Sequence, residues 1–279
     1  MRLNDNCVKC MYDRQAKKSN NQEFLKAIRW ILDNRDEEAC STEMNIAFNE
    51  AYEKYIGPVP SFRAINRQYN DLVLSMEDEL TAKINASGDS LATALVMARI
   101  GNYIDFGVMQ DVNEETFLEL FKETEMCPDE RQTYESFINQ CAKATSFLLL
   151  TDNCGEIVLD KLMLRQLKKR FPNLDITVMV RGGEVSNDAT LEDAEYVGLS
   201  KEFKVITNGE KAAGTVFHRL PKEAQAAISN ADVILSKGQA NYESFAGEGF
   251  HAFFTFLCKC DLFVNRFNVP RLTGMFVEE

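Results

Sequence analysis

The stretch LLLTDNCGEIVLDKLML, Leu148–Leu164, decides the fold. Its first half is a short apolar run that breaks off at an acid and an amide, Asp152 and Asn153. After Gly155 the pattern changes to one with helical spacing, EIVLDKLMLRQLKKRF. A short strand, a polar turn and a helix in that order form the opening of a βαβ unit. The same texture recurs downstream. Strand candidates fall at Phe147–Leu150, Ile176–Val180, Phe203–Ile206, Val233–Leu235 and Phe253–Leu257, with helical patterns such as PKEAQAAISN between them. This alternation predicts a Rossmann-like α/β/α part with a mostly parallel sheet.

Upstream of Ser146 the pattern is helical throughout. In NNQEFLKAIRWILDN, Phe24, Leu25, Ile28, Ile31 and Leu32 share one face. Ser90–Val108 reads as a strongly apolar helix with Ser87 or Asp89 as its cap, and NEETFLELFKE, beginning at Asn113, as another helix start. GPVPSF, Gly57–Phe62, separates two helices. No Gly/Ser linker interrupts the chain, so the expected organisation is a helical domain over 1–145 packed on a Rossmann-like domain over 146–279.

The composition limits the function. The 45% hydrophobic content suits a globular chain with a sizeable core, and no stretch has the roughly 18 uncharged apolar residues of a membrane span. The net charge of −12 argues against a nucleic-acid partner, whose phosphates need a basic surface. It permits a small phosphate ester, because a metal ion and a few lysines reverse the sign locally. The N-terminal MRLNDNCVKCMYDRQ lacks an apolar signal core, so the eight cysteines are expected as reduced thiols in the cytoplasm. No feature specifies an oligomer.

Open parallel sheets bind ligands beyond the carboxyl ends of their strands. Here those ends are unusually polar. The first carries Asp152, Asn153 and Glu156; the second Arg181, Gly182, Gly183, Asn187 and Asp188; the fourth Lys237, Gly238, Gln239, Asn241 and Glu243; the fifth leads to Lys259 between two cysteines. Asp152, Asn153 and Asp188 offer oxygen ligands of the kind that hard divalent cations take. Lys237 and Lys259 could neutralise phosphate oxygens, and the glycines permit close backbone approach. Each cluster also has a plainer reading. Asp-Asn after a strand is a common cap or Asx turn, and NDATLEDA would place Asp188 as a helix cap with Glu192 near the capping-box position.

DNCGEIVLDKLML, NDATLEDA, SKGQANYES and FLCKC, in that order, resemble the damage-control phosphatases, protein family of unknown function 89. GNYIDFG at Gly101–Gly107 matches an element of the family's helical part, and CVKC at Cys7–Cys10 resembles the CxxC of its bacterial and archaeal branch. The resemblance implies a metal-dependent phosphatase acting on sugar phosphates or damaged phosphometabolites, with Mn²⁺, Co²⁺, Ni²⁺ or Mg²⁺. By the same resemblance, Asp152, Asn153 and Asp188 are metal ligands and Lys259 contacts phosphate. Lys237-Gly238 corresponds to a Lys-Gly motif, Asn102 and Asp105 reach the substrate, and Glu156 is the acid near the metal. Arg181, beside them at its strand end, is a further substrate-binding candidate. Cys154 and Ala240 depart from the family's usual small residue and glycine.

A ligand role is expected for Asp152 rather than attack on phosphorus, because Asn153 beside it looks like a coordinating partner. Asn102 and Asp105 could equally be a helix stop or a buried hydrogen-bonded pair. Cys7 and Cys10 could be half of a Zn²⁺ site, although packed or solvated thiols fit the thin supply of further ligands better. His218 and His251 are expected to be structural, with His251 also able to line the site. Two other functions compete: a non-catalytic phosphometabolite-binding protein, and a carboxyl methyltransferase, which TDNCGE disfavours for want of a glycine-rich loop.

Overall fold

The structure, a computed structural model, describes residues 2–104, 119–122 and 125–279. Its N-terminal helices are α1 (Asp5–Lys18), α2 (Gln22–Asp33), α3 (Ser41–Tyr55), α4 (Arg63–Ser75), α5 (Glu77–Ala86), α6 (Ser90–Ile100) and α7 (Pro128–Cys141). GPVPSF separates α3 from α4 as expected. Of the two caps considered for α6, Asp89 is the one used, accepting from the backbone N–H of Leu91 and Ala92. That helix is shorter than its apolar pattern suggested. It gives way at Gly101–Tyr103 to a single 3₁₀ turn, and residues 105–118 lie outside the described residues. Most of NEETFLELFKE lies there too.

The rest alternates strand and helix: β1 (Ser146–Leu150), α8 (Glu156–Arg170), β2 (Asp175–Val180), α9 (Leu191–Tyr196), β3 (Lys204–Thr207), α10 (Lys222–Ser229), β4 (Val233–Lys237), α11 (Gln239–Phe245), β5 (Phe253–Leu257), α12 (Asp261–Phe267) and β6 (Gly274–Glu278). The sheet order is β3-β2-β1-β4-β5-β6. The first five strands are parallel and β6 pairs antiparallel with β5, bringing Phe253 opposite Glu278. The α/β class and mostly parallel sheet follow the sequence pattern, and β6 is the strand that pattern did not show. The order reverses between β1 and β4, which is where such sheets open a crevice.

Two-residue alternation sends strand side chains to opposite faces. Phe147, Leu149, Val178, Val180, Leu235 and Phe253 join one apolar cluster with residues of α4 to α8. Leu148, Leu150, Met179, Ile234, Phe254 and Phe256 join another with α10, α11 and α12. Helix α8 is buried from Glu156 to Leu164, packed against α6 and α4 and sharing one core with the sheet, which explains its nearly continuous apolar character. Lys168, Lys169 and Arg170 in its last turn complement the helix dipole. A third cluster, with Phe24, Ile28, Leu32 and Phe48, joins α2 to α3 and leaves Trp30 on the outside, 66% exposed. No helix among the described residues is long and apolar enough to cross a membrane.

Candidate active site

The strand ends at the order reversal gather a cluster of buried charge. Asp152, Glu156, Asp160 and Asp188 bring four carboxylates against the three cations Arg181, Lys237 and Lys259, all buried. The backbone accounts for the meeting of Asp152 and Asp188. Residues 187–189 run antiparallel beside 152–154: the Cys154 N–H donates to the Asn187 carbonyl at 2.7 Å and the Ala189 N–H to the Asp152 carbonyl at 2.7 Å. Arg181 ties the two acids together. Its Nε donates to Asp188 Oδ2 at 2.6 Å, and its Nη2 lies 3.5 Å from Asp152 Oδ1. The other end of that guanidinium is fixed by the Gly214 carbonyl and Asn241 Oδ1, at 2.9 and 3.1 Å.

The second oxygen of Asp152 receives two side-chain amides, Asn102 Nδ2 at 2.8 Å and Asn153 Nδ2 at 3.0 Å. Both amides also reach Glu156 Oε2, at 3.2 and 3.0 Å. Burial drives the Asp152 carboxyl well above the usual carboxylate range. The charges of Asp188 and Glu156 push it further, against the pull of Arg181 and Lys259. Gly238 makes room for this carboxylate. Its φ is +82°, and a Cβ there would fall 1.9 Å from Asp152 Oδ2.

Several expected residues take different places. Lys237 does not project toward a ligand. It is fully buried, with Nζ donating to Glu156 Oε1 (2.7 Å), Asp160 Oδ1 (2.6 Å) and the Ala98 carbonyl (3.1 Å), so its three N–H groups are all used. Asn102, also fully buried, accepts from the Leu257 N–H at 3.2 Å and so links the end of α6 to β5 and Asp152. The Arg181 guanidinium is committed to the two acids, although the residue also lines a cavity beside them. Gly182 and Gly183 abut the Gly209–Glu210 backbone and the Lys211 side chain, so the protein itself makes the close approach expected of a phosphate. Asp188 is not the cap of α9. Thr190 is, in a capping box with Asp193, which leaves the Asp188 carboxylate to Arg181.

Lys259 is 1% exposed, its N–H held by Gln239 Oε1 and its carbonyl by Arg271. Asp105 lies outside the described residues. His251 precedes β5, at the end opposite Lys259, and meets Glu278 at 2.9 Å, so it does not line the site. His218 is exposed beside Glu43. All eight cysteines are free thiols, with Cys154 buried under the site and Cys10 exposed on α1.

Two contributors escaped the sequence reading. Asn70 of α4 accepts from the Gly155 N–H at 2.7 Å and donates to Asp193 at 2.9 Å, tying the start of α8 to that of α9. Nothing local in α4 marks it. Asp160 did carry a signal: it is an acid four residues after Glu156 in a stretch that is otherwise largely apolar.

The model of the damage-control phosphatase ARMT1-like domain matches residues 3–273. The chain belongs to this damage-control phosphatase family. A damage-control phosphatase of Archaeoglobus fulgidus is 28% identical over 263 residues, covering 87% of each chain. One of Pyrococcus horikoshii is 28% identical over 231 residues, covering 81% of this chain and 77% of its own. The crystal structure of a DUF89 family protein from Pyrococcus horikoshii superposes with a TM-score of 0.79 at 24% identity, covering 98% of each chain, and so shares the fold. Membership in the damage-control phosphatases supports a phosphatase activity.

As a donor set, two carboxylates and the amide oxygen of Asn153 suit a hard cation. Asn153 Oδ1 accepts one hydrogen bond, from Asn187 at 2.7 Å, and keeps a second lone pair. Among the described residues, no group of three or more His, Cys, Asp or Glu is placed to hold a metal ion.

Proposed function

We propose that the protein hydrolyses phosphomonoesters of small metabolites, sugar phosphates or damaged phosphometabolites, using a divalent cation (Mn²⁺, Co²⁺, Ni²⁺ or Mg²⁺) held by Asp152, Asn153 and Asp188. One observation carries this reading: Asp152 is buried at the sheet's order reversal, its carboxyl driven up by burial and by the charges of Asp188 and Glu156. A cation between Asp152 and Asp188 would relieve that repulsion. When bound, it would polarise a phosphate oxygen and lower the pKa of a water.

The chain's own groups do the rest. Arg181 holds the two acids at a fixed separation. Asn102 and Asn153 orient the Asp152 carboxylate. Lys259, whose charge acts on Asp152, is the lysine assigned to the phosphate oxygens, while Lys237 holds Glu156 and Asp160. Phosphoryl transfer needs positioning and charge stabilisation above all, and a fixed buried cluster supplies both. A cavity of about 200 Å³ lined by Arg181, Arg63, Asn66 and Glu192 gives room for a small organic group. Free thiols at all eight cysteines fit a cytoplasmic setting.

The test is turnover of para-nitrophenyl phosphate with and without Mn²⁺. Asp188→Ala should lower metal-stimulated activity by roughly 100-fold or more, since it removes a ligand and the carboxylate closest to Arg181. Full activity in that variant overturns the site. Trapping a phosphoenzyme on Asp152 would make it the nucleophile. Binding of phosphometabolites without phosphate release would favour a non-catalytic role.

A further inference from the structure

Glu156 and Asp160 lie one turn apart on α8, and the Lys237 ammonium bridges them at 2.7 and 2.6 Å. All three side chains are fully buried. Lys237 is the one group that Asp160 hydrogen-bonds among the described residues, and its Oδ2 has no partner there. As a stabilising device this is poor. Burying each ion costs several kcal/mol, and apolar side chains of similar volume often serve as well or better.

The arrangement is better explained by what lies beyond it. The far oxygen of Glu156 receives the Asn102 amide, the Asn153 amide and the Asn153 N–H, at 3.2, 3.0 and 3.3 Å. The same two amides hold Asp152. A continuous buried chain therefore runs from Asp160 through Lys237 and Glu156 to Asn102, Asn153 and Asp152. We propose that Asp160 is a positioning residue for the hydrolysis: by holding Lys237 it fixes Glu156, and through Glu156 the two amides that aim the Asp152 carboxylate. This rests on the phosphatase reading above. Asp160 itself touches neither phosphate nor metal. Without its charge, Lys237 is held by one carboxylate instead of two, and Glu156 loses the strut that keeps Oε2 turned to the amides.

The test compares Asp160→Asn and Asp160→Glu in the full chain. Asp160→Asn should lower kcat for para-nitrophenyl phosphate with Mn²⁺ about tenfold or more, with KM moving less than about threefold, as expected for outer support of a site. Mn²⁺ binding to the resting protein, followed by calorimetry, should weaken by about threefold or more. Asp160→Glu, which restores the charge, should recover part of both. A folded Asp160→Asn with unchanged kcat and unchanged Mn²⁺ affinity overturns the inference. So does a loss that appears only as a fall in thermal stability.

If Asp160→Asn does not fold, the cycle is made with Asp160→Glu, Lys237→Met and the double variant Asp160→Glu/Lys237→Met. Effects on Mn²⁺ affinity that fail to add uphold a linked chain, and additive effects overturn it. A wild-type protein that releases no phosphate, yet binds Mn²⁺ in a way that responds to Asp160, upholds the positioning role and removes only the phosphatase reading. A wild-type protein that binds no Mn²⁺ overturns both.

Discussion

Gly238 shows how one missing side chain shapes the site. Its backbone, at φ +82° and ψ 158°, occupies a region that is nearly glycine's alone, and Asp152 fills the space a Cβ would take. Gly238→Ala should destabilise the fold by about 1–3 kcal/mol through backbone strain. It should also lower Mn²⁺-stimulated turnover more than that strain explains, by displacing Asp152. Urea melts and para-nitrophenyl phosphate kinetics on the same preparation separate the two effects; activity that follows stability alone would refute the displacement. At this scale the sequence was half legible. The polar residues at strand ends were visible as a set because a β run ending in acids and amides has no use for them in its core. Their partners were not. That Lys237 faces down toward Glu156 and Asp160 depends on which face of β4 meets α8, and the run VILSK is apolar enough to read either way.

Helices α6 and α8 pack closely against each other. At Gly101 a Cβ would lie 2.9 Å from the Glu156 Cα, so the end of one helix bears on the start of the other. Gly101→Val should cost about 1–3 kcal/mol in a urea melt, as overpacking does, and should shift Glu156 enough to reduce activity. An unchanged melt would mean that α8 yields freely. Elements were the most legible part of the sequence: the βαβ alternation marked β1 to β5 within one or two residues, and PKEAQAAISN marked α10. β6 was missed because its five residues, which begin at Gly274, show little alternation, and it is made a strand by pairing along β5 rather than by its own pattern. The α6 helix was overextended because apolar residues recur past Ile100, at Tyr103 and Ile104, whereas the chain tightens into a 3₁₀ turn at Gly101–Tyr103.

Across the whole molecule, the larger apolar cluster joins helices from both sides of residue 145. Leu91, Leu95, Ala98 and Phe137 pack in one core with Phe147, Leu159 and Val178. Residues 146–279 expressed alone should therefore bind a hydrophobic dye and aggregate, whereas the full chain does neither; a monomeric, cooperatively melting fragment would contradict this. The buried acids also set a pH dependence. Burial, then the charge of Glu156, pushes the Asp160 carboxyl up to about 7 against the pull of Lys237, and Asp152 is driven up as well. Unfolded, such groups titrate near 3.9. Between those values the folded chain binds more protons than the unfolded one, so stability falls as pH rises from about 4 to about 7. Asp232, held down to about 2 by Thr145 and Ser146, opposes this fall only near pH 4 and adds no slope above about pH 5, where it is ionised in both states. Denaturant melts in chelator at several pH values should show this fall, and Asp160→Asn should flatten it. The sheet order could not be read from the sequence, since strand neighbours are chosen by crossovers that leave no local mark. Where the order reverses could be inferred only from the residues gathered there.

Trp30 is the only tryptophan in the chain, and it stands outside the α2–α3 pair rather than in either sheet core. Intrinsic fluorescence of this protein will thus have a red-shifted, water-like emission even when it is fully folded. Quenching or spectral change during a titration will report events at the outer helices, and the strand ends around Asp152 and Asp188 will be optically silent unless a second indole is introduced near them.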